Sequence, residues 1–207
     1  MRLILIRHGE SEGNASGVIQ GRVDFGLSPA GVRQAHATAA FLAACGADRV
    51  VTSPLRRAAQ TAEIIAGRLG HDAFPMPELM EYDIGDASGL TPGELRQRFP
   101  EVLAAAAAGQ RPTFPGEEGR DNFAVRLRKA LDELAEARGT TVAVAHGGVI
   151  SSLCHLVLGI GVNRPAAFHV ANCSLTEIVS DRSGRLVVAR HNDTCHLSGM
   201  ATFADRG

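Results

Sequence analysis

The stretch Leu3-Ile4-Leu5-Ile6-Arg7-His8-Gly9-Glu10-Ser11 decides how the chain is to be read. A short, continuous apolar run predicts a strand buried on both faces, as inside a parallel sheet. It passes straight into a polar, glycine-containing segment. A second such run, Thr141-Val142-Ala143-Val144-Ala145, ends in His146-Gly147-Gly148. Ligands of open α/β sheets bind outside the carboxyl ends of the strands. Two His-Gly pairs therefore fall where a site belongs, and each glycine lets backbone approach a ligand closely.

Outward from these runs, strand and helix alternate, the pattern of a layered α/β domain. Ser28-Pro29 carries a helix start signal, and the helix runs through Ala35, Ala39 and Leu42 to Gly46. Residues 49–52 read as a strand. Ser53-Pro54 repeats the start signal for a helix ending near Gly70. Thr91-Pro92-Gly93-Glu94 is a capping box before an Ala-rich helix that reaches Gly109. Phe123, Leu127, Leu131 and Leu134 recur at helical spacing. Val149 to Leu158 reads as helix, and residues 174–179 and 186–190 as a hairpin. With no repeat and no linker, the reading is one domain over residues 1–207, with a small cap at about 88–119.

Composition narrows the partners. Hydrophobic residues make up 45% and aromatics 4%, so the core is built from aliphatic side chains. Lys plus Arg number 21 against 22 Asp plus Glu, a balance that gives no reason to expect a nucleic-acid or anionic-membrane partner. No run approaches the roughly 18–20 apolar residues of a membrane span, and the first residues lack the features of a secretory signal. Cys45, Cys154, Cys173 and Cys195 show no CxxC spacing, which predicts free thiols in a cytoplasmic enzyme. The expected partner is a small molecule.

Local charge supplies what net charge does not. Arg56 follows Ser53-Pro54 and is placed in the first turn of a helix, where backbone N–H groups favour an anion. Arg57 is rotated from it by about 100° and reads as a surface or supporting residue. Arg7, Arg56, His8 and His146 together describe a pocket for a compact dianion. No His, Cys, Asp and Glu cluster has metal-site spacing, and no cofactor is expected.

Leu5-Ile6-Arg7-His8-Gly9-Glu10-Ser11 with Asn14 resembles the opening motif of the histidine phosphatase superfamily, the phosphoglycerate mutase-like proteins. The likeness continues through Gln20-Gly21, Asp24, and Leu27-Ser28 with Gly31. Residues 53–58 with Gln60-Thr61-Ala62 are similar to the second motif, and Leu79, Glu81, Gly85 and Gly89-Leu90 to the acid-bearing segment. Ala145-His146-Gly147-Gly148 fits the last motif, and Asn192-Asp193 with His196-Leu197 a common ending.

The resemblance implies a three-layer α/β/α sandwich around a mostly parallel mixed sheet. It also implies hydrolysis of a small phosphate monoester through a phosphohistidine. His8 would be the nucleophile, and Arg7 and Arg56 would clamp the equatorial oxygens. A protonated His146, Asn14, Gln20, Gly21 and Gly147 would complete the phosphate contacts. Glu81 would act as acid and then base, with Asp83 and Asp86 as nearby competitors.

Three other readings are weighed. A cofactor-dependent phosphoglycerate mutase shares the phosphohistidine step, but the segment between Glu81 and His146 is short and Gly148 departs from the mutase pattern. Gly9-Glu10-Ser11-Glu12-Gly13 matches the elbow of a serine esterase of the α/β-hydrolase type, yet Ser11 follows the first strand. Gly159-Ile160-Gly161 follows a helix rather than a strand, unlike a dinucleotide site.

Substrate choice is expected to lie in residues 88–119 and 160–172, with acidic Glu117 disfavouring a second anionic group at the mouth. The charged residues from Glu117 to Arg138 read as a solvated helix face, and His155, His169, His191 and His196 as packed or exposed. The chain is expected to be a monomer or a homodimer.

Overall fold

Strand β1 (Arg2–Arg7) lies inside a six-stranded sheet of order β3-β2-β4-β1-β5-β6, in a computed structural model that describes residues 1–162 and 168–200. It pairs in parallel with β4 (Thr140–Ala145), Leu5 opposite Ala143, and antiparallel with β5 (Leu175–Ser180). Strands β2 (Arg49–Thr52) and β3 (Ala73–Pro75) extend the parallel part, and β6 (Leu186–Asp193) closes the other edge as the partner of β5.

Alternation along β1 sorts the core into two halves. Leu3 and Leu5 face helices α6 (Arg120–Glu136) and α7 (Gly147–Val157), through Phe123, Leu127, Leu131, Val149 and Leu153. Ile4 and Ile6 face α2 (Pro29–Ala43) and α3 (Arg56–Leu69), through Ala39, Leu42, Ala58, Ala62 and Ile65. Both sets are fully buried, so the sheet is covered on both faces and the three-layer sandwich is formed.

Several local readings need correcting. The loop after β1 holds a short helix, α1 (Glu12–Ala15), capped by Ser11. The Ala-rich helix is two helices, α4 (Pro92–Arg98) and α5 (Pro100–Ala107), because Pro100 cannot donate an N–H and drives Phe99 to φ −132° and ψ 52°. Strand β3 was not anticipated, being three residues at a sheet edge and ending in proline. Ser53 is not a helix cap, since α3 begins at Arg56 with Leu55 as its N-cap. The arginine-bearing face of α6 is not uniformly solvated, because Arg126 is part-buried among main-chain carbonyls.

The segment leaving β1 is clamped onto the start of α2. Glu10 N–H donates to Gln34 Oε1 (2.8 Å), Ser28 N–H donates to the Glu10 carbonyl (2.8 Å), and the Ser28 hydroxyl donates to Glu10 Oε1 (2.8 Å). Gly31 makes this approach possible, since a Cβ there would fall on the Glu10 carbonyl oxygen, which is backbone and cannot swing away. Gly31→Ala is therefore expected to lower stability by about 1–3 kcal/mol, read as a drop in the urea midpoint at unchanged m. A midpoint equal to wild type would show that the two segments separate freely.

Candidate active site

The carboxyl ends of the parallel strands deliver the polar residues to one place. β1 ends at Arg7 and His8, β2 at Ser53, β4 at His146, and the chain beyond β3 carries Glu81. A cavity of about 520 Å³ opens there, lined among others by Arg7, His8, Asn14, Gln20, Gly21, Arg57, Glu81, Gly147 and Gly148.

His8 is buried, and its Nδ1 lies 2.7 Å from the Gly9 carbonyl oxygen. A carbonyl can only accept, so Nδ1 carries the proton and Nε2 keeps its lone pair. Burial first, then the charges of Arg7 and Arg57, hold the imidazole well below its usual pKa of 6.5. The Gly9 N–H donates to the Thr61 hydroxyl (3.0 Å), which donates to the Arg57 carbonyl (2.7 Å), so the His8 segment is tied to α3. Asn172, whose signal is invisible at sequence level, donates to the His8 carbonyl (3.0 Å).

The second guanidinium of the site belongs to Arg57, not Arg56. Arg57 is buried and donates to the carbonyls of Gly21 and Val23, both at 2.8 Å. Among the described residues no acidic side chain lies within ion-pair distance of it. Arg56 is exposed, and its N–H donates to Asp24 Oδ1 (2.7 Å), which occupies the helix terminus predicted for an anion. The reason is helical phase: Arg57 shares a face with buried Thr61 and Ile65, whereas Arg56 lies with Gln60 and Glu63. That stripe was readable in the sequence and identifies the right arginine.

Arg7 donates to the Val170 carbonyl (2.6 Å), and burial, opposed by Glu81, lowers its guanidinium pKa to about 10. His146 is fully buried behind the cavity wall, with its ring centre 5.1 Å from that of His8. The Ser53 hydroxyl lies 2.8 Å from its Nε2, while Nδ1 is buried without a partner among the described residues. Burial, then His8 and the arginines, push His146 well below 6.5, so it is neutral here rather than protonated as expected. Asn14 has its Oδ1 held by the Ser11 N–H (3.2 Å) and Asn172 Nδ2 (3.3 Å), which fixes its amide. Ser11 is fully buried as the cap of α1, and its hydroxyl is engaged by Asn14 and Gln20, so it cannot serve as an esterase nucleophile.

Glu81 is positioned from both sides. Its Oε1 accepts from the Tyr82 N–H (2.9 Å) and its Oε2 from the Gly148 N–H (3.1 Å). Behind it, Arg126 donates to the carbonyls of Glu78 (2.6 Å), Met80 (2.7 Å) and Glu81 (3.0 Å) and to both Glu118 oxygens (2.8 and 3.0 Å). Arg22 joins the same carboxylate at 2.6 Å. Asp83 and Asp86 do not line the cavity. Glu117 does not either: it pairs with Arg111 (3.5 Å) and accepts from the Phe114 N–H (3.2 Å). The wall carries Arg120, Tyr82 and His155 instead, none of them anticipated. Of the 160–172 stretch expected to select substrate, residues 163–167 lie outside the described residues.

Residues 3–194 match the family model for the histidine phosphatase superfamily (branch 1). The chain belongs to the histidine phosphatase superfamily. The probable phosphoglycerate mutase GpmB of Yersinia enterocolitica is 32% identical to it, with 95% of each chain covered. Mycobacterial glucosyl-3-phosphoglycerate phosphatase, solved with VO3, superposes with a TM-score of 0.81 at 31% identity, over 93% of this chain and 99% of that one. Phosphoserine phosphatase of Entamoeba histolytica, solved with 3-phosphoglyceric acid, gives 0.78 at 30% identity, over 95% and 98%. This superfamily member is thus placed among phosphatases of small phosphorylated metabolites.

The two depressed histidines make a prediction about acid. In the window between the folded and unfolded pKa values, the unfolded chain binds more protons, so stability rises with pH there. The unfolding free energy is expected to fall as pH drops from about 7.5 to about 5.5, and the fall is expected to be shallower in His8→Gln/His146→Gln. Urea titrations at the two pH values measure both. An equal slope in the double variant would mean that these imidazoles are not held neutral.

Proposed function

We propose that this histidine phosphatase cleaves phosphomonoesters by attack of His8 Nε2 on phosphorus, without a metal. The observation that carries the reading is one cavity lined by His8, Arg7, Arg57 and Glu81, with His8 Nδ1 turned onto the Gly9 carbonyl so that Nε2 keeps the lone pair. The Nε2–P bond forms as the bond to the leaving oxygen breaks, and Glu81 gives that oxygen a proton. Water then attacks the phosphohistidine, Glu81 takes its proton, and phosphate leaves. Arg7 and Arg57 carry the charge that spreads over the equatorial oxygens. His146, with its Nε2 at the Ser53 hydroxyl and its ring against that of His8, backs the nucleophile from behind the cavity wall. The Asn14 amide and the Gly147 backbone contribute further contacts, and Gln20 and Gly21 form the neighbouring wall.

The short segment between Glu81 and His146 favours a phosphatase, with water as the second acceptor, over a mutase. Residues 82–145 between Glu81 and His146 are occupied by α4, α5, α6 and β4, and we assign the segment at about 88–119 as the cap of a single domain. The buried thiols of Cys154 and Cys173, pushed up to about 11 and about 12 by burial, are unreactive and suit a reducing cytoplasm. The enzyme is taken to act there as a monomer or homodimer.

The test is phosphoenzyme formation in EDTA. Wild type is expected to give an acid-labile, base-stable phosphoryl label that His8→Ala lacks. Arg57→Ala should lose roughly 10²–10³-fold in kcat, while Arg56→Ala stays near wild type. Label retained in His8→Ala, or activity requiring added metal, would overturn the mechanism.

Gly148 gives an independent check on Glu81. A Cβ at position 148 would lie 2.5 Å from Glu81 Oε1, the movable end of a side chain, so Gly148→Ala should displace the acid without unfolding the protein. An alkyl phosphate, which expels a basic alkoxide, should then suffer by roughly 10²-fold or more. A nitrophenyl phosphate, whose leaving anion needs no proton, should suffer far less in the burst of nitrophenolate. Equal losses would mean that Glu81 is not the acid.

A further inference from the structure

The cavity is far larger than a phosphoryl group, and the chemistry of its remaining wall describes the alcohol that leaves. Val18, Ile19, Ile84, Pro92 and Val162 make most of that wall apolar. Arg120 interrupts it. This arginine is the first residue of α6, directly after Gly119, whose φ of 80° turns the chain into the helix. Its guanidinium carbon lies 4.2 Å from the centre of the Tyr82 ring, so stacking fixes the group against the pocket.

The acids near Arg120 are committed elsewhere. Glu117 pairs with Arg111, Glu118 with Arg126 and Arg22, and Glu81 accepts from two backbone N–H groups. Among the described residues no acidic side chain is within ion-pair distance of Arg120, and its Nε is buried without a hydrogen-bond partner. Burial, followed by the like charge of Arg111, lowers its pKa, as for a cation that lacks a counter-charge. A guanidinium held this way on a cavity wall is prepared for an anion that arrives with the ligand. The sequence reading, with Glu117 at the mouth, pointed the other way. Glu117 is turned onto Arg111, so that expectation fails.

We propose that Arg120 selects phosphomonoesters whose alcohol has an apolar body ending in a second anionic group, a carboxylate or a phosphate. The proposal rests on the phosphatase reading, with the first phosphate held at Arg7, His8 and Arg57. It excludes small polar acids as the best substrates, because they leave the apolar wall uncovered.

Matched aryl phosphates test it. 4-(2-carboxyethyl)phenyl phosphate and 4-propylphenyl phosphate expel phenols of nearly equal acidity and differ at the chain end. The 2-phosphonoethyl compound distinguishes a phosphate-like from a carboxylate anion, and 3-phosphoglycerate supplies an anion without the apolar body. Wild type should favour at least one of the acidic aryl esters over the propyl ester by about tenfold or more in kcat/KM, mostly through KM, and should favour it over 3-phosphoglycerate. In Arg120→Gln the acid-to-propyl ratio should fall toward one. In Arg120→Glu the preference should pass to 4-(2-aminoethyl)phenyl phosphate, a change that a structural role would not produce. Arg120→Lys should keep part of the original ratio.

A wild-type ratio near one overturns the proposal by itself, even where a substituted chain fails to fold. So does a ratio that persists in Arg120→Gln, or a preference for 3-phosphoglycerate. Failure of wild type to release phosphate from any of these esters would instead sink the phosphatase reading.

Discussion

Burial of the His8 imidazole beside the guanidinium groups of Arg7 and Arg57 is the constraint on which the site depends. Desolvation penalises the charged form of the imidazole, and the two neighbouring guanidinium charges add to that penalty. Arginine does not give up its proton near neutral pH, so the imidazole must. The Gly9 carbonyl then decides which nitrogen stays protonated, and the lone pair is left on Nε2. A neutral imidazole with that lone pair is the species the proposed attack on phosphorus requires. In the proposed reaction the incoming phosphate dianion would neutralise the guanidinium charge of the cavity.

Backbone carbonyls hold both guanidinium groups. Arg57 is oriented by the carbonyls of Gly21 and Val23, and Arg7 by that of Val170. A carboxylate partner would fix the guanidinium equally well but would cancel the field the phosphate needs. Glu81 is treated differently. It sits on an irregular segment, and Arg126 compensates by gathering the carbonyls of Glu78, Met80 and Glu81 and the Glu118 carboxylate behind it. Burial pushes Glu118 up, but the hydrogen bonds from Arg126 and Asp83 outweigh it and keep the carboxylate ionised. The end of a strand places His8 by its ladder, and the loop places Glu81 by hydrogen bonds from Tyr82, Gly148 and Arg126.

That difference also explains what was legible in the sequence. β1, β4 and the two His-Gly pairs could be read because a doubly buried strand is a local pattern and its polar end is marked by composition. The helix caps at Ser28 and Thr91 were equally local. Arg57 was available from the Ala58, Thr61, Ala62 and Ile65 stripe, but adjacency to the cap-like Ser53-Pro54 put the first turn, and so the wrong arginine, in the pocket. Ser53 itself contacts His146 across 93 residues, Asn172 reaches His8 across 164, and Arg126 reaches Glu81 across 45. Nothing local in the chain encodes those pairings. The charged face of α6 looked solvated because helical periodicity reports which residues are apolar, not which arginines have carbonyls to meet.

The cavity therefore carries a gradient of commitment from floor to mouth. At the floor every polar group is oriented by a neighbour, and the geometry suits one chemical group, the phosphoryl. At the wall around Tyr82 and Arg120, stacking orients the cation, and among the described residues no acidic side chain lies within ion-pair distance of it. Phosphoryl transfer imposes the same charge distribution on every substrate, so residues that meet it have little freedom to vary without loss of rate. The leaving alcohol imposes nothing on the transition state beyond its demand for a proton, the role proposed for Glu81. Residues that touch only the alcohol can change without disturbing His8. A fold of this kind can thus hold its chemistry fixed at the strand ends while the first turn of α6 and the segments facing it are free to choose the substrate.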